Sequence, residues 1–220
     1  KYYDGARAYV SLDHFWSMRY IDDPEKCYSG LEILSGLRDL CAQHGDFPWA
    51  MAHHPYPEDL NNPDFWNDRT ALYSMDTGRV TFRNLEVLCA FFNRPEMLYR
   101  GAPRPIILSE QGFNSRETPE SERLQSAAYC LAYQKVLLLP QIEAFILHAH
   151  VDNRDEFGLN LGLWRRDKES GEKNRPLEPK PIYYAFRDID TPRGEEVCRA
   201  AKDTVGEDVW NDILRIRECM

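Results

Sequence analysis

The chain has 220 residues, with 27 Lys and Arg against 36 Asp and Glu and a formal net charge of −9. An acidic chain without a Lys/Arg cluster lacks the concentrated positive surface that nucleic-acid phosphates require. No uninterrupted apolar run approaches the roughly 18 residues of a membrane span.

The first predicted strand, Ala6–Trp16, starts apolar and ends in Asp13, His14 and Trp16. Asp22-Asp23 reads as solvated loop acids. Gly30–His44 carries Leu31, Ile33, Leu34, Leu37, Leu40 and Cys41 at helical spacing, and Gly45 ends it. A second strand, Pro48–Pro57, finishes in His53, His54 and Tyr56, with Pro55 and Pro57 stiffening the exit. The long loop from Glu58 to Arg79 includes Phe65 and Trp66, placed to touch a substrate. Thr81–Asn93 repeats the amphipathic stripe with Leu85, Leu88, Cys89 and Phe92.

A third strand, Pro105–Phe113, runs through Ile106-Ile107-Leu108 to a lone carboxylate, Glu110. A charge at the edge of a buried strand costs desolvation unless partners stabilise it. Thr118-Pro119-Glu120 combines a cap, a first-turn proline and an acid, and opens a helix over Ser121–Leu139. The fourth strand, Ile142–Asp152, ends in His148, His150, Asp152 and Asn153. Arg165-Arg166-Asp167-Lys168 reads as a charged surface loop, and Pro179–Asp188 as a short helix. Thr191-Pro192 and Gly206-Glu207-Asp208 each open a charged helix, the second ending near Cys219, with Trp210 a packing residue.

The order β-α-β-α-β-α-β-α predicts an α/β fold with a parallel sheet. The four units cover residues 6 to 188, about 46 residues each, so eight would need about 370, a length that suits a TIM (β/α)8 barrel. Four units make half of one, over residues 1–190, and residues 191–220 form a C-terminal helical appendage of the same domain. The alternative is an open doubly wound sheet, but no Gly-rich phosphate fingerprint follows any strand. The six cysteines form no CxxC pair, so structural zinc is not expected, no disulfide framework is assigned, and no cofactor or metal is called for.

The strand-end residues resemble the C-terminal half, strands 5–8, of a clan A glycoside hydrolase, the retaining barrel enzymes that include cellulases, mannanases and xylosidases. His54-Pro55-Tyr56 is similar to the His-x-Tyr element ending that clan's sixth strand. Glu110-Gln111-Gly112 resembles the nucleophile followed by x-Gly that ends its seventh. Gly162-Leu163-Trp164 and Lys180-Pro181-Ile182-Tyr183-Tyr184-Ala185-Phe186 match the turn and aromatic helix after the eighth. Two departures stand out. The eighth strand ends in His148-Ala149-His150-Val151-Asp152-Asn153 where the clan carries a Trp platform, and no Asn-Glu dipeptide supplies the clan's acid/base residue.

The resemblance implies retaining hydrolysis of a β-glycosidic bond, with Glu110 as nucleophile and Tyr56 and His54 orienting it. It places the acid/base Glu upstream of Lys1, with Glu58 and Glu156 as in-chain substitutes. His14, Trp16, His53, His148, His150, Asp152, Asn153 and Trp164 are expected to line a carbohydrate cleft, and Asp13 to read sugar hydroxyls. A competing reading is a metal-dependent hydrolase, in which His148 and His150 alternate onto one face and His14, His54 and Asp152 join them. A third is a carbohydrate-binding half-barrel without catalysis. Four parallel strands leave two unpaired edges, so the chain is expected to need a missing N-terminal half-barrel or a second copy of itself. Polysaccharide-degrading enzymes are often exported, which favours a secreted or periplasmic protein. The start at Lys1 without a leader points to a processed, cut or incomplete N-terminus.

Overall fold

The computed structural model describes residues 6–20 and 25–219; Asp22-Asp23 lies outside them. The four apolar runs form strands β1 (Ala8–Asp13), β2 (Trp49–His54), β3 (Ile106–Gln111) and β4 (Ile142–Leu147). They pair in chain order and all run parallel. Between them lie α1 (Gly30–His44), α2 (Leu85–Phe92) and α3 (Pro119–Leu137). Each helix starts where its polar residues dictate. Ser29 and Glu32 cap α1 reciprocally, and the Thr118 hydroxyl accepts from the Ser121 N–H ahead of α3. The stripe that begins at Thr81 enters through a single 3-10 turn, Phe82–Asn84, before α2.

Register sorts the strand residues into two faces. Val10, Met51, Ile106 and Ile142 form one cross-sheet row, and Leu12, His53, Leu108 and Phe145 the next. These rows point at the helices. Met51, Ile106 and Leu108 are fully buried, and the Phe145 ring lies 5.6 Å from Tyr129 of α3. The opposite face carries Ser11, Ala52, Ile107 and Ala144 in one row. Toward the margins of that face Tyr9 is 40% and Ile146 51% exposed. Arg7 and Glu143 pair across it at 2.9 Å. Among the described residues neither β1 nor β4 has a strand on its outer side.

The sequence places a charged loop at Arg165–Lys168; the structure instead forms an antiparallel hairpin of β5 (Trp164–Arg166) and β6 (Pro176–Pro179). The reason is that the charge is partnered. The Arg165 guanidinium binds both oxygens of buried Glu122 on α3 and also Glu178 on β6, which pins the hairpin to the helix layer. Downstream, α4 (Pro181–Asp188), α5 (Gly194–Val205) and α6 (Glu207–Leu214) follow. Helix α6 thus ends five residues before Cys219. Helices α4, α5 and α6 pack on α3, which explains why α3 is buried on Ala127, Ala128, Cys130, Leu131 and Ala132 rather than along one narrow stripe. Trp210 is buried there as the sequence suggests.

Phe82 joins three parts of this core. Its ring lies 5.6 Å from Phe65, 5.4 Å from Phe113 and 5.3 Å from Phe145, linking the β2–α2 loop, the β3 exit and β4. Phe65 is therefore core, not cleft wall, and Trp66 packs against it. Phe82→Ala is expected to cost about 3–5 kcal/mol of stability, read as a lower urea midpoint at unchanged slope. A loss below about 1 kcal/mol would contradict this role.

Candidate functional site

The C-terminal ends of the parallel strands gather most of the polar residues singled out above. The first exit is built by His14. Its buried ring donates from Nδ1 to the Tyr56 carbonyl at 3.1 Å, while Asp13 accepts from the His14 backbone N–H at 2.7 Å. Burial lowers the His14 pKa against the opposing pull of Asp13. His14 thus fixes the backbone at Tyr56 from beneath and does not face a substrate. Trp16 is also buried: its indole N–H donates to the Met75 carbonyl at 2.9 Å and its ring meets Phe91 edge-on. It belongs to the core because β1 has already ended and the chain has turned inward.

On β2 the alternation of side chains separates the two histidines. His53 points to the helix side, fully buried, with Nε2 donating to the Val80 carbonyl at 2.9 Å. Desolvation pushes its pKa down to about 4. The expected cleft role for His53 therefore fails: it is a neutral core histidine. His54 points to the open face, Nε2 at 3.2 Å from the Ser11 hydroxyl. Beyond it, buried Pro55 and Pro57 bracket Tyr56. The Tyr56 hydroxyl donates to Glu110 Oε1 at 3.2 Å. Burial, followed by the Glu110 charge, raises the Tyr56 pKa, so the phenol keeps its proton and remains a donor.

Glu110 reaches that hydroxyl because β3 changes register against β4 between Leu108 and Gln111. Gln111 is buried, its amide donating to the Ile146 carbonyl, and its own carbonyl accepts from the His148 N–H at 2.7 Å. At Gly112 a Cβ would stand 2.2 Å from the His148 carbonyl oxygen, so no larger residue fits. Glu110 itself stays exposed to solvent.

At the β4 exit the His148–Ala149 peptide is cis. His148 Nε2 lies 3.2 Å from Glu156 Oε1, and Asn153 Nδ2 donates to Glu156 Oε2 at 2.9 Å. Asn153 thus serves a neighbouring carboxylate. His150 is exposed. Asp152 is not in the cleft: its carboxylate is buried, bound by Lys180 Nζ and the Gly162 N–H, each at 2.8 Å. Burial raises the Asp152 pKa and lowers that of Lys180, each opposed by the partner's charge. The turn at Gly162 brings the Asp152 backbone N within 2.2 Å of where a Cβ would sit. The half-buried Trp164 ring packs edge-on against Tyr183 of α4 at 5.3 Å.

Glu58, weighed as a substitute acid, is committed to its own loop. It accepts from the backbone N–H groups of Arg69 and Thr70 and from the Thr70 hydroxyl, with Arg79 at 3.8 Å. Burial pushes its pKa up, but these bonds together hold it below the ordinary value. The metal reading loses its ligand set, since His14 and Asp152 are tied up separately. Among the described residues no group of three or more His, Cys, Asp or Glu is arranged to hold a metal ion. No helix of the described residues is long and apolar enough to cross a membrane.

Sequence reasoning missed the amide supports of the site. Gln125 of α3 donates to the Phe113 and Asn160 carbonyls, and the Asn114 side chain accepts from the Asn160 N–H at 2.7 Å. The only available signal was a polar residue on the apolar face of a helix. His53 offers a test of the burial described here. Its folded pKa lies below its unfolded value of about 6.5, so its contribution is present above that value and is lost as pH falls toward about 4. Wild type should lose on the order of 3 kcal/mol more than His53→Gln between pH 7 and 4. Urea denaturation at both pH values measures it; equal losses would contradict a buried neutral His53.

Two solved structures are similar to the chain. The chain superposes on a hyperthermophilic β-glucosidase from Pyrococcus furiosus with TM-score 0.50 and 16% identity, covering 91% of this chain and 45% of that one. A family 39 glycoside hydrolase from the gut symbiont Bacteroides cellulosilyticus WH2 matches at TM-score 0.42 and 18% identity, over 69% of this chain and 26% of that one. The chain therefore spans less than half the length of either. The first likeness shows the fold: four βα repeats with the architecture of about half of a TIM-barrel glycosidase. No curated protein sequence matches the chain. A family model matches residues 1–213, and the chain belongs to that family, the family of unknown function DUF5722.

Proposed function

We propose that this chain is the C-terminal half, strands 5–8, of a retaining β-glycosidase barrel, with Glu110 as the nucleophile. The observation that carries this reading is the Tyr56 hydroxyl held 3.2 Å from the Glu110 carboxylate at the exits of adjacent parallel strands. Reactive groups of barrel enzymes sit at that end of the sheet. Glu110 attacks the anomeric carbon as the bond to the leaving oxygen breaks and a second carboxyl group protonates that oxygen. Water then cleaves the glycosyl ester, returning a proton to the second carboxylate. Tyr56 keeps Glu110 oriented throughout, and His54, His148 and Asn153 stand at the same end of the strands to meet sugar hydroxyls.

The second carboxyl group belongs to a facing βα half that closes on β1 and β4. Support for that partner is physical. A face carrying Tyr9 and Ile146 at its margins and two unpaired strand edges is what a closed barrel fills with side chains and neighbours. The substrate class is an oligo- or polysaccharide with a β-linkage.

The test is turnover of aryl β-glycosides by the full-length gene product. Glu110→Gln is expected to lower kcat by at least about 1,000-fold while sugar binding persists, and Tyr56→Phe to lower it by about 10–100-fold. Sugar binding without wild-type turnover would establish a catalytically silent carbohydrate-binding half-barrel. Full activity in Glu110→Gln would end the assignment.

A further inference from the structure

At the opposite end of the sheet from Glu110, below the starts of β3 and β4, lies a groove of about 910 Å³ that the proposed reaction does not use. Pro105 and Gln141, just ahead of those two strands, line it together with Cys89 of α2 and Cys219 of the C-terminal tail. The chain brings the two thiols to one groove by a specific route. On α2, Glu86 and Cys89 stand three residues apart and so share one face of the helix. Glu86 is buried, and its Oε1 accepts from Lys135 Nζ at 2.9 Å and from the Arg217 backbone N–H at 3.3 Å. The tail is thereby tied to α2 about one turn before Cys89, and Cys219 follows two residues beyond the tie. The Arg217 guanidinium anchors the same segment, bonding the Asp212 carboxylate at 2.6 Å and lying 4.0 Å over the Tyr73 ring.

The end of the tail is adaptable. Helix α6 stops at Leu214, and residues 215–219 form neither helix nor strand. A disulfide requires its sulfur and Cβ atoms within narrow limits, which a terminal segment meets by small backbone shifts. Cys130 of α3 and Cys198 of α5 lack that freedom, since both sit on packed helices. Cys89 and Cys219 are free thiols here. Burial first, and then the Glu86 charge, raises the Cys89 thiol to about 12 and the Cys219 thiol to about 11. Cys219 is half-buried and Cys89 buried, so Cys219 is the thiol that an oxidant reaches first.

We infer that Cys89 and Cys219 form a disulfide under oxidising conditions and so lock the C-terminal tail onto α2. This is independent of the glycosidase reading. With glutathione disulfide as the oxidant, the Cys219 thiolate attacks one of its sulfurs, expels one glutathione as thiol and becomes a mixed disulfide. The Cys89 thiolate then attacks the Cys219 sulfur, the mixed bond breaks, and the second glutathione leaves as thiol. The protein gives up two electrons and two protons, and glutathione disulfide takes them. The bond closes a loop of about 130 residues, long enough for the cross-link to restrict the unfolded chain strongly. In the folded chain it adds a covalent tie to the contact that Glu86 already makes with the tail.

The experiment incubates the full-length gene product with millimolar glutathione disulfide for several hours, then digests it without reduction and maps the peptides by mass. The expected product is a peptide pair joined through Cys89 and Cys219, about 2 Da lighter than its separate thiol forms because two hydrogens are lost. Dithiothreitol should reverse it. In the oxidised protein, tryptic cleavage after Arg215 and Arg217 is expected to slow at least about tenfold, since the tail is now held at both ends. Cys219→Ser should abolish the link and the protection together, and it leaves the buried Cys89 in place, so a packing defect does not obscure the result. A glutathione adduct that stays on Cys219, a bond from either thiol to another cysteine, or equal cleavage of oxidised and reduced protein would overturn the inference.

Discussion

How β3 is held between its neighbours decides where Glu110 emerges. From Ile106 to Leu108 the strand pairs on both sides, with Ile106 and Leu108 buried against the helices. Beyond Leu108 the register against β4 shifts, and the buried Gln111 takes over the pairing through its carbonyl and its side-chain amide. The shift leaves Glu110 outside the apolar layer, at the tip of a rigid strand, where water and the Tyr56 hydroxyl relieve the cost of its charge. Gly112 completes the constraint, since the His148 carbonyl occupies the space of any side chain there. The tyrosine is placed with equal economy, its backbone fixed by the buried ring of His14.

The rest of the fold supports those strand tips through buried charges. Lys180, at the start of α4, reaches Asp152, the Ser115 hydroxyl and the Asn160 carbonyl, tying the loop after β4 to the loop after β3. Lys135 of α3 pairs with Glu86 of α2 at 2.9 Å and bonds the Ile213 carbonyl, joining α6 to the same layer. Such pairs repay little in net stability because both ions must be desolvated. Losing one partner costs about 3–5 kcal/mol, so they enforce one arrangement of the loops. The Lys-Pro element and the Gly-Leu turn, which in sequence looked like family markers, have this physical meaning here: Lys180 neutralises Asp152, and Gly162 lets the chain pass against it.

Much of this was legible in the residues. Apolar, β-prone runs that finish in polar residues placed all four strands, and the Thr118-Pro119-Glu120 start placed one helix. The His54-Pro55-Tyr56 and Glu110-Gln111-Gly112 motifs fall on adjacent strand exits. The failures have a common cause. His14, Trp16, His53 and Asp152 carry functional-looking chemistry, but whether they face the cleft or the core depends on strand alternation and on chain direction after the strand ends. Both are set by tertiary packing. The β5–β6 hairpin was hidden because it is short, proline-bearing and stabilised by Arg165 reaching Glu122, a partner 43 positions away in sequence. Glu156 gave no periodic signal at all; only the fold brings it to His148.

The central claim is that Glu110 forms the covalent bond to the sugar. Incubating the full-length gene product with an activated 2-deoxy-2-fluoro β-glycoside slows release of the glycosyl enzyme, and peptide mass mapping then locates the attached sugar. The account predicts a single glycosyl adduct on the peptide bearing Glu110, absent in Glu110→Gln. An adduct on another carboxylate, or hydrolysis of the reagent with no adduct at position 110, would contradict it.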